Sequence, residues 1–233
     1  MDDSLGISVV IPAINEEKQI GKLIDHLKRA ESGYIEEIIV VDGGSSDRTR
    51  ELASEMGAKV LPSPKRGRAV QMNAGAAAAG GNILYFLHAD TLPPYGFDQE
   101  ILAAVKKEYG AGCFRLRFDT DQPLLRFYAF FTRYRTTFLR FGDQSLYAER
   151  KVFEKIGGFD ESLTVMEDQK IVRELRKQTP FYLSEREVIT SARKYGKNGV
   201  VRLQCVFFLI WFLYYLGVPQ QGLVKLYNSL IKS

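Results

Sequence analysis

Several residue types and motifs are scarce or missing in this chain of 233 residues. Its two cysteines, Cys113 and Cys205, are far apart and form neither a CxxC pair nor a zinc-binding spacing, so they indicate buried thiols in a reducing compartment. Neither GxGxxG nor GxxxxGK[ST] occurs, which excludes the dinucleotide fingerprint and the P-loop. The sequence also lacks internal repeats and low-complexity tracts. These absences remove disulfide scaffolds, zinc modules and P-loop enzymes from the candidates.

Long apolar segments are missing as well. The N-terminal residues have no basic region followed by an apolar one, so no signal peptide is expected. The longest apolar run covers 205–218, which is shorter than the roughly 20 residues that a membrane-spanning helix needs. This run predicts a C-terminal apolar helical tail that lies at a membrane interface or docks on protein.

The bulk composition is that of an ordinary globular protein. Hydrophobic residues make up 45% and charged residues 26% of the chain, which argues against disorder. The formal net charge is +4. This small excess fits an anionic substrate or an anionic membrane surface and is too small to favour nucleic acid as a partner.

The first half of the chain alternates between apolar strand patterns and helical patterns. Strands are predicted at 7–11, 37–41, 58–61 and 83–87, with helices at about 16–30, 47–56 and 68–79 between them. Short connections and strands buried on both faces predict an α/β protein with a doubly wound, mainly parallel central sheet flanked by helices. The second half is less regular. It predicts an antiparallel or edge strand at 113–118, a basic aromatic helix at 123–141, a strand at 145–148, and helices at 151–156 and 166–176.

Polar or small residues follow three of the four predicted strands. They are Pro12-Ala13-Ile14-Asn15-Glu16, Asp42-Gly43-Gly44-Ser45 and His88-Ala89-Asp90. Ligands of open α/β sheets bind beyond the carboxyl ends of the strands, so these three segments are expected to meet in one crevice. An aspartate at a strand end, with Arg66 and Arg68 nearby, suits a diphosphate bridged by a divalent metal.

The ordered motifs carry a resemblance to a known family. They are VVIPAINEE at 9–17, VVDGGSSDRT at 40–49, GR at 67–68 with NAG at 73–75, LHAD at 87–90, GDQ at 142–144, GGFD at 157–160 and MED at 166–168. Each is weak alone, but in this order the set resembles family 2 glycosyltransferases with the Rossmann-like GT-A fold. SARK at 191–194 and YLGVP at 215–219 look like a small bacterial, single-domain branch of that family.

The resemblance implies which residues bind the donor. Pro12, Ala13, Glu16 and Asp42 would line the nucleoside pocket, with Asp42 accepting a hydrogen bond from the base or ribose. Arg68 stands where the family usually has a lysine that contacts the nucleotide or its phosphates. For Asp42, the alternative is a carboxylate that only stabilises its own strand-end turn.

The resemblance also implies the catalytic and metal-binding residues. Asp90 would bind Mg²⁺ or Mn²⁺ as the last aspartate of the Asp-x-Asp motif, Asp168 would be the general base, and Asp143 would act on the acceptor side. Arg193 and Lys194 would contact the diphosphate. The structural alternatives are a strand-end cap for Asp90, a helix-dipole charge for Asp168, a turn residue for Asp143 and surface cations for the basic pair.

The chain departs from the family pattern at the first aspartate of Asp-x-Asp, which is His88 here and is interpreted as structural. The Gln-x-x-Arg-Trp motif of processive synthases is missing, which favours transfer of one sugar. The resemblance implies single displacement with inversion. The lack of repeats, low-complexity tracts and linkers predicts one domain over 1–233, with a donor half to about 110, an acceptor half at about 111–195 and the apolar helical tail at about 196–233.

The expected partners are a nucleotide-sugar donor and a small-molecule or lipid acceptor. The expected location is the cytoplasm, with peripheral contact to the inner face of the cell membrane. Two alternatives remain open: a nucleotidyltransferase that makes a nucleotide-sugar, and a non-catalytic nucleotide-binding scaffold.

Overall fold

A computed structural model describes residues 5–136 and 142–231. Within these ranges the chain forms one mixed sheet of eight strands and ten α-helices. The strands are β1 Ile7–Ala13, β2 Ile35–Asp42, β3 Lys59–Pro62, β4 Ile83–Phe86, β5 Thr91–Leu92, β6 Ala111–Phe118, β7 Leu146–Glu149 and β8 Phe181–Thr190. The helices are α1 Ile20–Ala30, α2 Thr49–Glu55, α3 Arg68–Ala78, α4 Phe97–Lys106, α5 Pro123–Phe130, α6 Arg150–Lys155, α7 Glu167–Gln178, α8 Arg193–Asn198, α9 Val200–Tyr215 and α10 Gln220–Leu230.

The sheet has the order β3-β2-β1-β4-β7-β6-β8-β5. Strands β3, β2, β1 and β4 run parallel, as the alternating pattern predicted. Beyond β4 the prediction of a mainly parallel sheet is wrong. Strand β7 is antiparallel to both β4 and β6, β6 and β8 are parallel, and β5 is antiparallel to β8. The physical reason is that β4 and β7 are not consecutive strands: β5, α4, β6 and α5 lie between them in the chain, so no β-α-β crossover, which would make them parallel, links this pair.

Helices cover both faces of the sheet because alternate residues of β1 belong to different cores. Ile7, Val9 and Ile11 pack in one core that includes the apolar face of α1. Val10 packs on the other face in a core that includes Ala76 of α3. Successive strand side chains point to opposite faces, so a continuous apolar run is what a strand with helices on both sides requires.

The irregular half differs from its prediction at two of the predicted elements. Strand β6 is an interior strand between β7 and β8, so the prediction of an edge strand at 113–118 is wrong; its alternative, an antiparallel strand, holds only for the pairing with β7. The helix predicted over 123–141 ends as an α-helix at Phe130 and continues as a 3₁₀ turn over Phe131–Arg133. Residues 137–141 of that prediction lie outside the described residues.

The C-terminal part forms three successive helices, α8 to α10. Leu203, Val206 and Ile210 of α9 pack with Ile231 in a third core, against which Val165 also packs. On the outer face of α9, Phe208 is 63% exposed and Leu216 65%. Among the residues that the structure describes, no helix has both the length and the apolar character needed to cross a bilayer.

Candidate active site

The site lies where the strand order reverses. Strand β1 is flanked by β2 on one side and β4 on the other, and in open α/β sheets such a reversal opens a crevice at the carboxyl ends of the strands. Glu16 follows β1 and Asp90 follows β4 at this edge. The prediction that these strand ends converge is therefore confirmed by the topology.

Strand β8 brings a cation to the same edge. Thr91 of β5 pairs with Thr190 of β8, and the next residue, Ser191, donates its backbone N–H to the Asp90 carbonyl at 3.1 Å. This pairing places Arg193 over the crevice. Its guanidinium donates to both carboxylate oxygens of Glu16, at 2.8 Å for Oε2, and lies 3.2 Å from Asp90 Oδ2.

The Asp42 carboxylate forms hydrogen bonds within its own loop. Its carboxylate is buried and accepts the backbone N–H groups of Gly44 and Ser45 at 3.1 Å, as well as the Ser45 hydroxyl. The neighbouring Ala13 carbonyl accepts N–H from Gly43 at 2.8 Å, and Pro12 lies opposite Val41 in the β1–β2 ladder. These bonds fix the two loops that were predicted to line the nucleoside pocket.

Buried Gln71 of α3 also ties these loops together, and the sequence analysis missed it. Its side-chain N–H donates to the carbonyls of Ala13 at 3.0 Å and Val41 at 2.8 Å. A glutamine within the helical pattern of α3 carries no signal of this role until the helix is docked on the sheet.

His88 and Asp143 form the next pair. His88 Nδ1 lies 3.0 Å from Asp143 Oδ1, and half of the Asp143 side chain is exposed. Desolvation opposes ionisation of Asp143, but the hydrogen bond to His88 and the positive charges of His88, Arg68 and Lys194 lower its pKa to about 2. Interpreting His88 as structural agrees with this pairing, because the ring holds an ionised carboxylate in place.

The start of α7 carries the Glu-Asp pair. Buried Glu167 accepts from Arg68 Nη1 at 3.2 Å, and Asp168 Oδ2 accepts the Gly142 backbone N–H at 2.5 Å. Burial raises the pKa of Asp168 against the lowering effects of the Gly142 N–H and the Arg68 charge. A buried carboxylate with a raised pKa is a stronger proton acceptor than an exposed one.

Two positions around this pair are geometrically restricted. Met166, the residue before α7, has φ 69°, a left-handed conformation that costs a non-glycine residue roughly 1–2 kcal/mol. Gly142 has no room for a side chain, since an added Cβ would lie 2.9 Å from His88 Cε1 and 3.4 Å from Asp168 Oδ2. Strain of this kind is concentrated at functional sites, where surrounding contacts hold it in place.

Asp90 is surrounded by charges of both signs. Burial raises the pKa of Asp90, and the charges of Asp143 and Glu16 add to this, while His88 and Arg193 oppose it. The direct contacts agree, since Arg193 bonds to both Glu16 and Asp90, and His88 pairs with Asp143. Glu16, Asp90, Asp143, His88 and Arg193 thus form one charged cluster.

A divalent cation fits this cluster only with help from a ligand. Within residues 5–136 and 142–231, no three His, Cys, Asp or Glu side chains come together to hold a metal ion. Mg²⁺-type cations are commonly bound through one or two carboxylates plus substrate phosphates. Asp90, with 22% of its side chain exposed, would supply one hard oxygen ligand. The donor set fits a cation shared with a diphosphate rather than a cage made of protein alone.

The C-terminal helices contribute residues that sequence reasoning missed. Lys194 Nζ donates to the Tyr227 hydroxyl of α10 at 3.1 Å, and the Tyr215 hydroxyl of α9 donates to Gln169 Oε1, beside Asp168, at 3.1 Å. No motif marks these tyrosines, because only the packing of α9 and α10 brings them to the site. The C-terminal segment therefore contacts the candidate active site from one side.

Comparison with known proteins gives a consistent result. A sequence model described as Glycosyl transferase family 2 matches residues 8–159. The glucosyl-3-phosphoglycerate synthase of Mycolicibacterium smegmatis is 36% identical over 96 residues, which are 38% of this chain and 32% of that protein. The 4,4'-diaponeurosporenoate glycosyltransferase of Staphylococcus haemolyticus is 41% identical over 91 residues, which are 36% of this chain and 24% of that protein. The chain thus spans a third or less of the length of these curated relatives.

Solved structures superpose on nearly the whole chain, whereas the sequence relatives match little more than a third of it. The mannosyltransferase of Pyrobaculum calidifontis in complex with GDP-Man and Mn²⁺ superposes with a TM-score of 0.72 and 18% identity, covering 97% of this chain and 70% of that one. The glucosyl-3-phosphoglycerate synthase of Mycobacterium tuberculosis in complex with Mn²⁺, UDP and glucosyl-3-phosphoglycerate gives 0.66 and 19%, covering 94% and 82%. At these identities the likeness concerns the fold.

Proposed function

The chain belongs to glycosyl transferase family 2, and from that premise we propose that it transfers a single sugar from a nucleotide-diphosphate-sugar to an acceptor hydroxyl with inversion. One observation carries the proposal: direct contacts link the carboxylates of the site near the β1–β4 switch point. Arg193 bonds to Glu16 and Asp90, His88 pairs with Asp143, and Gly142 donates to Asp168. Within the domain, residues 1–110 form the donor half and residues 111–195 the acceptor half.

The donor lies across the strand ends. The loops at Pro12–Glu16 and Asp42–Ser45 line the nucleoside pocket, and Arg68, Arg193 and Lys194 supply positive charge for the diphosphate. Asp90 would hold Mg²⁺ or Mn²⁺ when the donor is bound. When bound, the cation neutralises charge on the leaving nucleoside diphosphate. The Mn²⁺ in the two superposed structures supports a divalent metal here.

Asp168 is the general base. The acceptor oxygen forms a bond to the anomeric carbon as the bond from that carbon to the diphosphate breaks, and the hydroxyl proton passes to Asp168. The Gly142 N–H, at 2.5 Å, orients the carboxylate. Asp143, kept ionised by His88, orients the acceptor without competing for the proton, because its pKa is about 2.

The test is donor-dependent release of nucleoside diphosphate. The protein is incubated with a panel of UDP-, GDP- and dTDP-sugars and Mn²⁺, with and without candidate acceptors, and free nucleoside diphosphate is measured. At least one donor should be turned over, and Asp90→Asn should lose Mn²⁺-dependent turnover while Asp25→Asn, an exposed carboxylate on α1, keeps it. Release of pyrophosphate instead would identify a nucleotidyltransferase, and nucleotide binding without turnover would identify a scaffold.

The outer face of α9 supports a location for the reaction, namely the inner surface of the cell membrane, with a lipid or membrane-bound acceptor. Phe208, Leu209 and Phe212 are exposed along one side of this helix, and aromatic rings favour the interfacial zone of a bilayer. Arg202 and Lys225 are exposed nearby on α9 and α10 and suit anionic headgroups. The contact is peripheral on this proposal, and the cytoplasm is its compartment.

A further inference from the structure

Arg193 forms ion pairs with the two carboxylates that a donor–metal complex would need. Its guanidinium bonds to both oxygens of Glu16 and lies 3.2 Å from Asp90 Oδ2. Both carboxylates are largely buried, with 15% and 22% of their side chains exposed, whereas 43% of the Arg193 side chain is exposed. A guanidinium presents a planar fork of donors that matches carboxylates and phosphates equally well.

The neighbouring carboxylates explain why a positive charge is needed between Glu16 and Asp90. Glu16, Asp90 and Asp143 carry negative charge at one sheet edge, and like charges at short range disfavour one another. Asp143 is offset by His88 and by the charges of Arg68 and Lys194. Asp90 is offset by His88 and Arg193, and Glu16 by Arg193, whose guanidinium bonds to both carboxylates.

We propose that Arg193 stands in for the divalent cation on Asp90 in the nucleotide-free enzyme and moves to the diphosphate when the donor and metal bind. A divalent cation on Asp90 would be repelled by a guanidinium held 3.2 Å from the same carboxylate. The diphosphate removes this conflict, because it offers Arg193 anionic oxygens in exchange. Metal alone therefore binds weakly, and metal and nucleotide strengthen each other's binding.

The exchange has a reciprocal consequence that can be measured. If nucleotide raises metal affinity by some factor, metal must raise nucleotide affinity by the same factor, and coupling factors between sites are typically about 5–150. Part of that factor depends on Arg193 leaving Asp90. Removing the guanidinium must therefore change metal affinity and nucleotide affinity in opposite directions.

The experiment measures Mn²⁺ binding by the loss of the free-ion electron paramagnetic resonance signal, with and without UDP or GDP, and nucleotide binding by calorimetry. Without nucleotide, Arg193→Gln should bind Mn²⁺ about tenfold more tightly than the wild type, and the nucleotide should bind about tenfold more weakly in the presence of Mn²⁺. Lys197→Gln is the matched control, because it removes one positive charge from an exposed position of the same helix. Its Mn²⁺ affinity should stay within about twofold of the wild type, since bulk charge alone has a small, screened effect.

Arg193→Lys keeps the charge but loses the planar fork, so its Mn²⁺ affinity should fall between those of the wild type and Arg193→Gln, and circular dichroism confirms that each variant is folded. Unchanged or weaker Mn²⁺ binding by folded Arg193→Gln without nucleotide overturns the inference, as does an equal gain in Lys197→Gln. The inference rests on the proposed donor site, but the two fail separately: wild-type protein that binds neither UDP nor GDP with Mn²⁺ would contradict the proposed function, whereas the nucleotide-free Mn²⁺ comparison tests Arg193.

Discussion

At the scale of single residues, Asp168 gives the most direct prediction. Asp168→Asn should lower kcat by about a hundredfold to ten-thousandfold with little change in donor affinity, because the acceptor proton moves only in the transition state. The wild-type kcat should fall as pH is lowered through the folded pKa of Asp168. Burial raises that pKa, so the fall should begin at a higher pH than for an exposed aspartate. Steady-state kinetics over pH, together with calorimetric donor binding, measure both effects; near-normal kcat in Asp168→Asn would place the base elsewhere.

Individual side chains also show where sequence reasoning stops. The carboxylates Asp42, Asp90 and Asp168 could be proposed as site residues from the sequence, because each lies within a short motif that can be recognised locally. The bridge from Arg193 to Glu16 joins residues 177 positions apart and depends on the β5–β8 pairing. No local pattern encodes such a pairing, so Arg193 could be assigned a phosphate role but not its partners.

At the scale of elements, α3 lies unusually close to the sheet at Gly75. An added Cβ there would overlap Val10 Cγ1 and lie 3.1 Å from Val41 Cγ2. Gly75→Ala should therefore lower the free energy of unfolding by about 1–3 kcal/mol, the usual cost of overpacking. Urea denaturation followed by circular dichroism measures the change.

Gly21→Ala is the matched control for that variant. Gly21 also lies within a helix, but an added Cβ would meet no heavy atom within 4 Å. Since alanine favours the helix by roughly 1 kcal/mol over glycine, this variant should be more stable than the wild type. Equal effects of the two substitutions would mean that helix propensity, and not the close approach of α3 to β1 and β2, decides the outcome at Gly75.

The elements that the sequence predicted well are those with a clear apolar pattern, either a continuous run or a helical period. Strands β1, β2 and β4 are short apolar runs buried on both faces, and α1 buries Ile20, Leu23 and Leu27 along one side. Strand β8 was not predicted because Phe181–Thr190 mixes buried and exposed residues without regular alternation. It lies between β6 and β5 in the sheet. The direction of β7 could not be predicted either, because a four-residue strand carries no information about its neighbours.

At the scale of the whole molecule, the mixed sheet connects the proposed donor-binding loops with the exposed rings of α9. The parallel part, from β3 to β4, ends in the loops proposed to bind the donor, and the antiparallel β7 is followed along the sheet by β6 and β8. Strand β8 leads into α8 and then into α9, so Arg193 and the exposed rings of α9 are on consecutive helices. A surface that meets a membrane through α9 would hold the crevice close to that membrane.

Membrane contact by α9 can be tested with anionic liposomes. Purified protein should co-sediment with phosphatidylglycerol-containing vesicles, less so at high salt, because Arg202 and Lys225 would contribute screened attraction. Phe208→Ser with Phe212→Ser should abolish sedimentation while nucleotide binding is kept, since full burial of each phenylalanine is worth about 1.5–3 kcal/mol. Tyr95→Ser removes a ring that is 59% exposed beside His26 of α1, and this variant should sediment like the wild type. If the wild type stays in the supernatant and the double variant changes its elution in size-exclusion chromatography, the outer face of α9 binds protein, and the acceptor need not be membrane-bound.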